Sequence, residues 1–386
     1  MTWRMTLQPF TILVLAGIIF VSPTSAASGD ASENDHGNTS NSTAEVHETH
    51  SHHHPHETLV FLFGAIVLGT AMIHLTSHPW LQGLPTTVVI FVLGIILALI
   101  AESGFWDESG MLIRSYNSWV AIDPHLLLFA FLPPLLMGDA MAIDTHVAKK
   151  TAFQCLILAG PGVVMGSFAT AAVLYGMLPY GWDFSLSLTV GSILAATDPV
   201  AVVSLLKDLG ASPVLTMQIQ GESLLNDGTA IVLFTIAYEV VSGKATGVAY
   251  VIGFLAKSTL GASLVGILIG EFFFQWIRLA NDKLNHSSSI IQICLTFAVA
   301  YWSFLFSEGV LHMSGVLSTV SSSLVLAHKV WPVLVSQHSM HDIWHVVETV
   351  GNVLVFFLGG VLTGKQLPRR PAEEYGWVFA VFILMV

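Results

Sequence analysis

The chain is written in long apolar runs separated by short polar breaks. Many runs reach about 20 residues, the length a helix rising 1.5 Å per residue needs to cross a bilayer. They predict spans at 58–76, 84–101, 124–142, 151–177, 184–206, 219–241, 247–277, 288–306, 310–328, 343–364 and 375–386. The expected fold class is therefore all-α: a polytopic helical membrane bundle of about 11 spans. The run 247–277 should tilt or bend near Gly261, and the last run is too short to cross.

Ahead of the spans lie two segments of different pattern. Residues 1–27 carry Arg4, an apolar core and a small-residue end near Ala26 and Ala27, the pattern of a signal peptide, with a retained first span as the competing reading. Residues 28–57 are acidic and His-rich, without Lys or Arg. Two N-glycosylation sequons there, at Asn38 and Asn41, fit an extracellular or lumenal segment. His50, His52, His53, His54 and His56 form a tract with weak metal affinity and no fixed ligand spacing. Residues 58–386 form the membrane domain.

Composition agrees. Of 386 residues, 54% are hydrophobic and 10% charged, against about 25% charged in soluble domains. The net charge of −12 argues against nucleic acid as a partner, because phosphate binding needs clustered Lys and Arg. Cys155 and Cys294 fall inside spans and read as apolar packing, with no disulfide or cysteine zinc site expected. With 28–57 outside, the inner loops hold Lys149, Lys150, Lys207, Arg278, Lys283 and Lys329; Arg114 and Lys244 are outside. The count places Lys365, Arg369 and Arg370 outside, so either that loop breaks the rule or the span count near 310–328 is off by one.

The candidate chemistry sits in two runs. In Thr197-Asp198-Pro199, the proline removes a backbone donor and breaks the helix, with an acid beside the break. Broken helices in a bilayer are tolerated where they line a cavity, and their freed carbonyls suit cations. In Gly221 to Gly228, Ser223 and Asp227 share a helix face, and Glu222 and Asn226 share the next. These oxygen ligands suit a small hard cation. A desolvated carboxylate holds a proton or a cation but not both, the physical core of cation/proton exchange. A proline kink with a capping Asp, or a structural polar network, is the plainer alternative. No nucleophile, phosphate-loop or zinc-protease motif occurs, so no enzyme is expected, and no cofactor.

Other polar groups lie within spans. Pro133-Pro134 is expected to break a helix, with Asp139 near its end. Glu308, Glu348 and Asn352 read as packing or capping groups more readily than as ion contacts.

The two long motifs resemble the monovalent cation/proton antiporter family in its Asn-Asp branch, the sodium/proton exchangers. The wording of Gly221 to Val232 is nearest the plant and sperm-type members. The likeness extends to Leu132-Pro133-Pro134, Gly160-Pro161-Gly162, Ser307-Glu308, Ser314-Gly315-Val316 and 352–360. It implies an inverted-repeat bundle in which a core moves against a dimerising scaffold. It also implies sodium (or potassium)/proton exchange regulating intracellular pH and sodium. Asp227 would carry the ion and proton, with Thr197, Asp198 and Ser223 as co-ligands. Asn226 implies electroneutral exchange, and Glu222 a pairing with an arginine on a later helix. The partners implied are the lipid bilayer, monovalent cations, protons and a second copy of the chain; plasma membrane is favoured over endomembrane.

The chain departs from the pattern in two places. Family members often carry an acid at the position of Gly138, whereas here the acid comes one residue later, as Asp139. Nothing after residue 364 matches the family's second broken helix, and the arginine for Glu222 is not reached, so the domain reads as incomplete at its C-terminus. A non-transporting sensor paralogue, or a zinc transporter suggested by the His tract, stays open as an alternative.

Overall fold

The computed structural model describes residues 55–78, 84–104, 110–197, 199, 202–203, 206, 209–243, 247–282 and 287–385. The signal-peptide, sequon and Asp198 readings, and those on His50, His52, His53 and His54, lie outside these residues. His56 falls in the first turn of the first helix.

The described chain is helical throughout. In order the helices are α1 (Pro55–Thr76), α2 (Thr86–Glu102), α3 (Met111–Val120), α4 (Pro124–Met141), α5 (Thr145–Met177), α6 (Phe184–Leu194), α7 (Pro213–Val241), α8 (248–279), α9 (Ser287–Val310), α10 (Gly315–Lys329), α11 (Gln337–Gln366) and α12 (Ala372–Met385). Seven stretches among the described residues are long and apolar enough to cross a membrane; α2 and α6 are shorter apolar helices. The short α3 was not expected. It is amphipathic, with Ile113, Ser115 and Tyr116 buried where α3 packs on α1 and α11.

Helix bounds follow local chemistry. Asp144 and Ser314 accept from backbone N–H groups at the starts of α5 and α10, satisfying donors that a helix leaves open. Glu308 also caps α10, accepting from Gly315 N at 2.7 Å. Three helices carry π turns, at Leu158–Gly162 in α5, Lys257–Gly261 in α8 and Phe306–Val310 in α9. The first contains Pro161, whose ring cannot keep the α register, and the second lies where a bend near Gly261 was expected.

Pro133 and Pro134, by contrast, do not break α4. A proline at 134 leaves the carbonyl of residue 130 without its helical donor. The Tyr301 hydroxyl on α9 supplies that donor, at 2.9 Å from Ala130 O. Such replacement from a neighbouring helix is what lets a span keep a proline.

Packing rests on close helix pairs. At Gly360 of α11 a Cβ would stand 2.1 Å from Phe91 O on α2; at Gly266 of α8 it would stand 2.2 Å from Ser318 O on α10. Small residues at these crossings let backbones touch, the usual device where lipid gives no hydrophobic drive between helices. Cys155 is buried, but Cys294 is exposed on the outer side of α9, so only the first is a packing residue.

The basic loop after α11 is paired. Arg369 bonds Glu102 at the end of α2 at 3.3 Å, and Arg370 lies 3.7 Å from Glu374. The α2 and α11 ends therefore share one side of the bundle, with two of the loop's charges matched by acids.

Candidate ion-exchange site

The site is built where α6 stops. α6 ends at Leu194, and Ala196, Thr197 and Pro199 are not helical. The helical hydrogen bonding restarts at Pro199, whose carbonyl accepts from Val203 N at 2.7 Å. The break is thus the one that Pro199 dictates, and Thr197 lies within it, half-buried.

α7 runs past this break. Its central turn is held at both ends by glycines. A Cβ on Gly221 would stand 3.2 Å from Cys155 Sγ of α5, and one on Gly228 would stand 2.4 Å from Leu317 of α10. Between them Ser223 is buried and Asn226 is wholly enclosed, while Glu222 and Asp227 are half-buried. Ser223 Oγ donates to Thr197 O at 3.1 Å, joining the carboxylate helix to the broken one. Asn226 Nδ2 donates to Glu222 Oε1 at 3.2 Å, the contact that their four-residue spacing allows. Asn226 Oδ1 is buried without a hydrogen-bond partner among the described residues.

The structure therefore brings Thr197, Ser223 and the turn carrying Asn226 and Asp227 into one neighbourhood, with Pro199 just beyond. Asp139 stands apart from this group. It is exposed on α4, one residue and about 100° around from the buried Gly138. What sequence reading missed is that Gly138 packs against Glu348 of α11. The missing side chain at 138 was visible; which distant helix fills that space was not. Among the described residues, no three His, Cys, Asp or Glu side chains come together as a metal site.

The sodium/hydrogen exchanger transmembrane family matches residues 60–386. The chain belongs to the sodium/hydrogen exchanger family.

Relatives bear this out. Sodium/hydrogen exchanger 8 of Arabidopsis thaliana is 33% identical over 335 residues, covering 86% of this chain and 43% of that protein. Sodium/hydrogen exchanger 7 of the same plant is 35% identical over 339 residues, covering 86% of this chain and 28% of that protein. The exchanger chain thus spans less than half the length of these two relatives. Its fold is similar to that of the sodium proton antiporter MjNhaP1 from Methanocaldococcus jannaschii at pH 8. The TM-score is 0.61 at 17% identity, over 80% of this chain and 71% of that one. The structure is an all-helical membrane protein with that fold.

Proposed function

We propose that this chain is the membrane domain of a secondary transporter exchanging sodium (or potassium) for protons, and so regulating intracellular pH and sodium. The observation that carries the reading is the Ser223–Thr197 hydrogen bond. It sets non-helical backbone carbonyls beside the turn of α7 that presents Asp227. Asp227 exchanges cation for proton, with Asp198, Thr197 and Ser223 as co-ligands. Asn226 leaves one exchanging carboxylate on that turn, which supports one-for-one, electroneutral stoichiometry. Glu222 orients the turn through Asn226.

The wider reading is a chain of about 11 spans after a cleaved leader at 1–27. Residues 28–57 form a glycosylated outer segment with Asn38 and Asn41 modified. The exchanger works as a homodimer in the plasma membrane, without a cofactor and without enzymatic activity.

The deciding experiment reconstitutes the protein in liposomes with a pH gradient. Added sodium collapses the gradient in the wild type and fails to do so in Asp227→Asn. Unchanged exchange in that variant would sink the assignment.

A further inference from the structure

The first turns of α11 carry a row of metal-ligating side chains that ion exchange does not use. His338, His341, Asp342 and His345 recur there at three- and four-residue spacing. On a helix all four fall within an arc of about 100°, over a rise of about 10 Å. All four are exposed. The other side of these turns holds Met340 and Trp344, both buried in the core. Trp344 Nε1 donates to Thr296 Oγ1 of α9 at 3.2 Å. Ser336 caps the helix, its Oγ accepting from Ser339 N at 3.3 Å. The cap and the buried face fix the rotation of these turns, so the histidine row is held outward.

Two contacts pair the row. The His341 and His345 rings stack, with centroids 6.5 Å apart and planes 14° from parallel. Two histidines four apart on one helix face are a spacing by which helices hold zinc. Neutral imidazole is also a ligand for copper and nickel. His338 Nε2 lies 3.3 Å from Asp342 Oδ2. No three of the four converge as they stand. The histidine pair is in place, however, and Asp342 lies three residues before His345, the spacing of neighbours on a helix surface.

We propose that the start of α11 binds a divalent transition-metal ion. His341 and His345 are the anchoring ligands, and Asp342 turns from His338 to become the third. Water fills the remaining position, as in open zinc sites. The site is separate from the histidine tract at 50–56. The charge count puts that tract outside and Lys329, just ahead of α11, inside, so one ion cannot bridge the two. Binding of the metal needs no exchange activity.

The test is calorimetric titration with zinc chloride of the full chain in detergent, purified without a histidine tag. In this background His47, His50, His52, His53, His54 and His56 are changed to alanine, which removes the tract as a competing site. One zinc per chain should bind with a micromolar Kd. His341→Ala and His345→Ala should each weaken binding by about tenfold or more, and Asp342→Asn by several-fold. His338→Ala should bind as tightly as the background or more so, because it frees Asp342. Cobalt(II) gives a readout that a folding defect does not mimic. Its visible d–d band should appear in the background and in His338→Ala, and be lost in His341→Ala and His345→Ala. Without metal, all four variants should unfold at the background temperature, since the side chains are exposed. Zinc should raise that temperature in the background but not in the two anchor variants. Zinc bound only at millimolar concentration overturns the proposal, as does background affinity in His341→Ala or His345→Ala. A loss in His338→Ala as large as that in His345→Ala overturns Asp342 as the third ligand.

Discussion

Ser223 on α7 donates its hydroxyl to the carbonyl of Thr197, 3.1 Å away in the break after α6. The two residues are 26 apart in sequence, and the bond gives a partner to the carbonyl of a residue outside any helix. Ser223→Ala should leave that carbonyl without its partner and lower stability by about 1–3 kcal/mol. Ser223→Thr, which keeps a hydroxyl, should lose less. Thermal unfolding in detergent tests both, and an alanine variant as stable as wild type would show that the bond holds nothing together.

The Asn226–Glu222 bond predicts a graded series. Asn226 is wholly enclosed, so Asn226→Ala strips Glu222 Oε1 of a donor inside the bundle and opens a small void. A loss of about 1–3 kcal/mol is expected. Glu222→Gln keeps an acceptor oxygen for the Asn226 amide and should lose less than Asn226→Ala. The unfolding midpoints of the two variants decide it, and the reverse order would mean that Glu222 acts mainly through its charge.

Much of this was legible in the residues because the bilayer imposes simple rules. Apolar runs marked the helices, Pro199 marked the break, and the four-residue spacing of Glu222 and Asn226 marked their contact. What was not legible depended on partners distant in sequence. Pro133 and Pro134 read as a break because nothing local shows that Tyr301 supplies the missing donor at Ala130. α3 was passed over because ten residues are too few to read as a span, and burial of Tyr116 comes from packing on α1 and α11. Gly138 was noticed as a missing acid, but its contact with Glu348 spans more than 200 residues and leaves no local signature.

The α2–α11 crossing gives a packing prediction. A Cβ at Gly360 would lie 2.1 Å from the carbonyl oxygen of Phe91, a backbone atom that cannot rotate away. Gly360→Ala must push the helices apart, and overpacking of this kind costs about 1–3 kcal/mol or more. Gly64, whose added Cβ would meet nothing within 4 Å, is the matched control. Gly64→Ala should leave the midpoint unchanged or slightly raised, since alanine is the better helix former. Equal behaviour of the two variants would mean that the crossing is looser than its backbone contact implies.

Tyr116 supplies a pH prediction. It is 2% exposed on α3, and its hydroxyl is buried without a hydrogen-bond partner among the described residues. Burial, helped by nearby Glu102 and partly offset by Arg369, pushes its pKa up to about 12. The unfolded chain ionises near 10. Between these values the unfolded state sheds its proton first, so alkali favours unfolding. The contribution of the neutral phenol is complete below about pH 10 and is lost as pH rises through about 12. Tyr116→Phe removes both the ionisation and the unpaired hydroxyl. At pH 8 the variant should be as stable as wild type or more so, because burying an unpaired hydroxyl is unfavourable by about 1–3 kcal/mol. Between about pH 10 and 12 its unfolding temperature should fall less steeply than that of wild type. Some slope should remain, since burial also raises Tyr180 in the loop before α6. Scanning calorimetry at pH 8 and pH 11 measures both effects. A variant clearly weaker at pH 8 would show that the hydroxyl is hydrogen-bonded in the membrane-embedded protein, and the alkaline slope would then need another source.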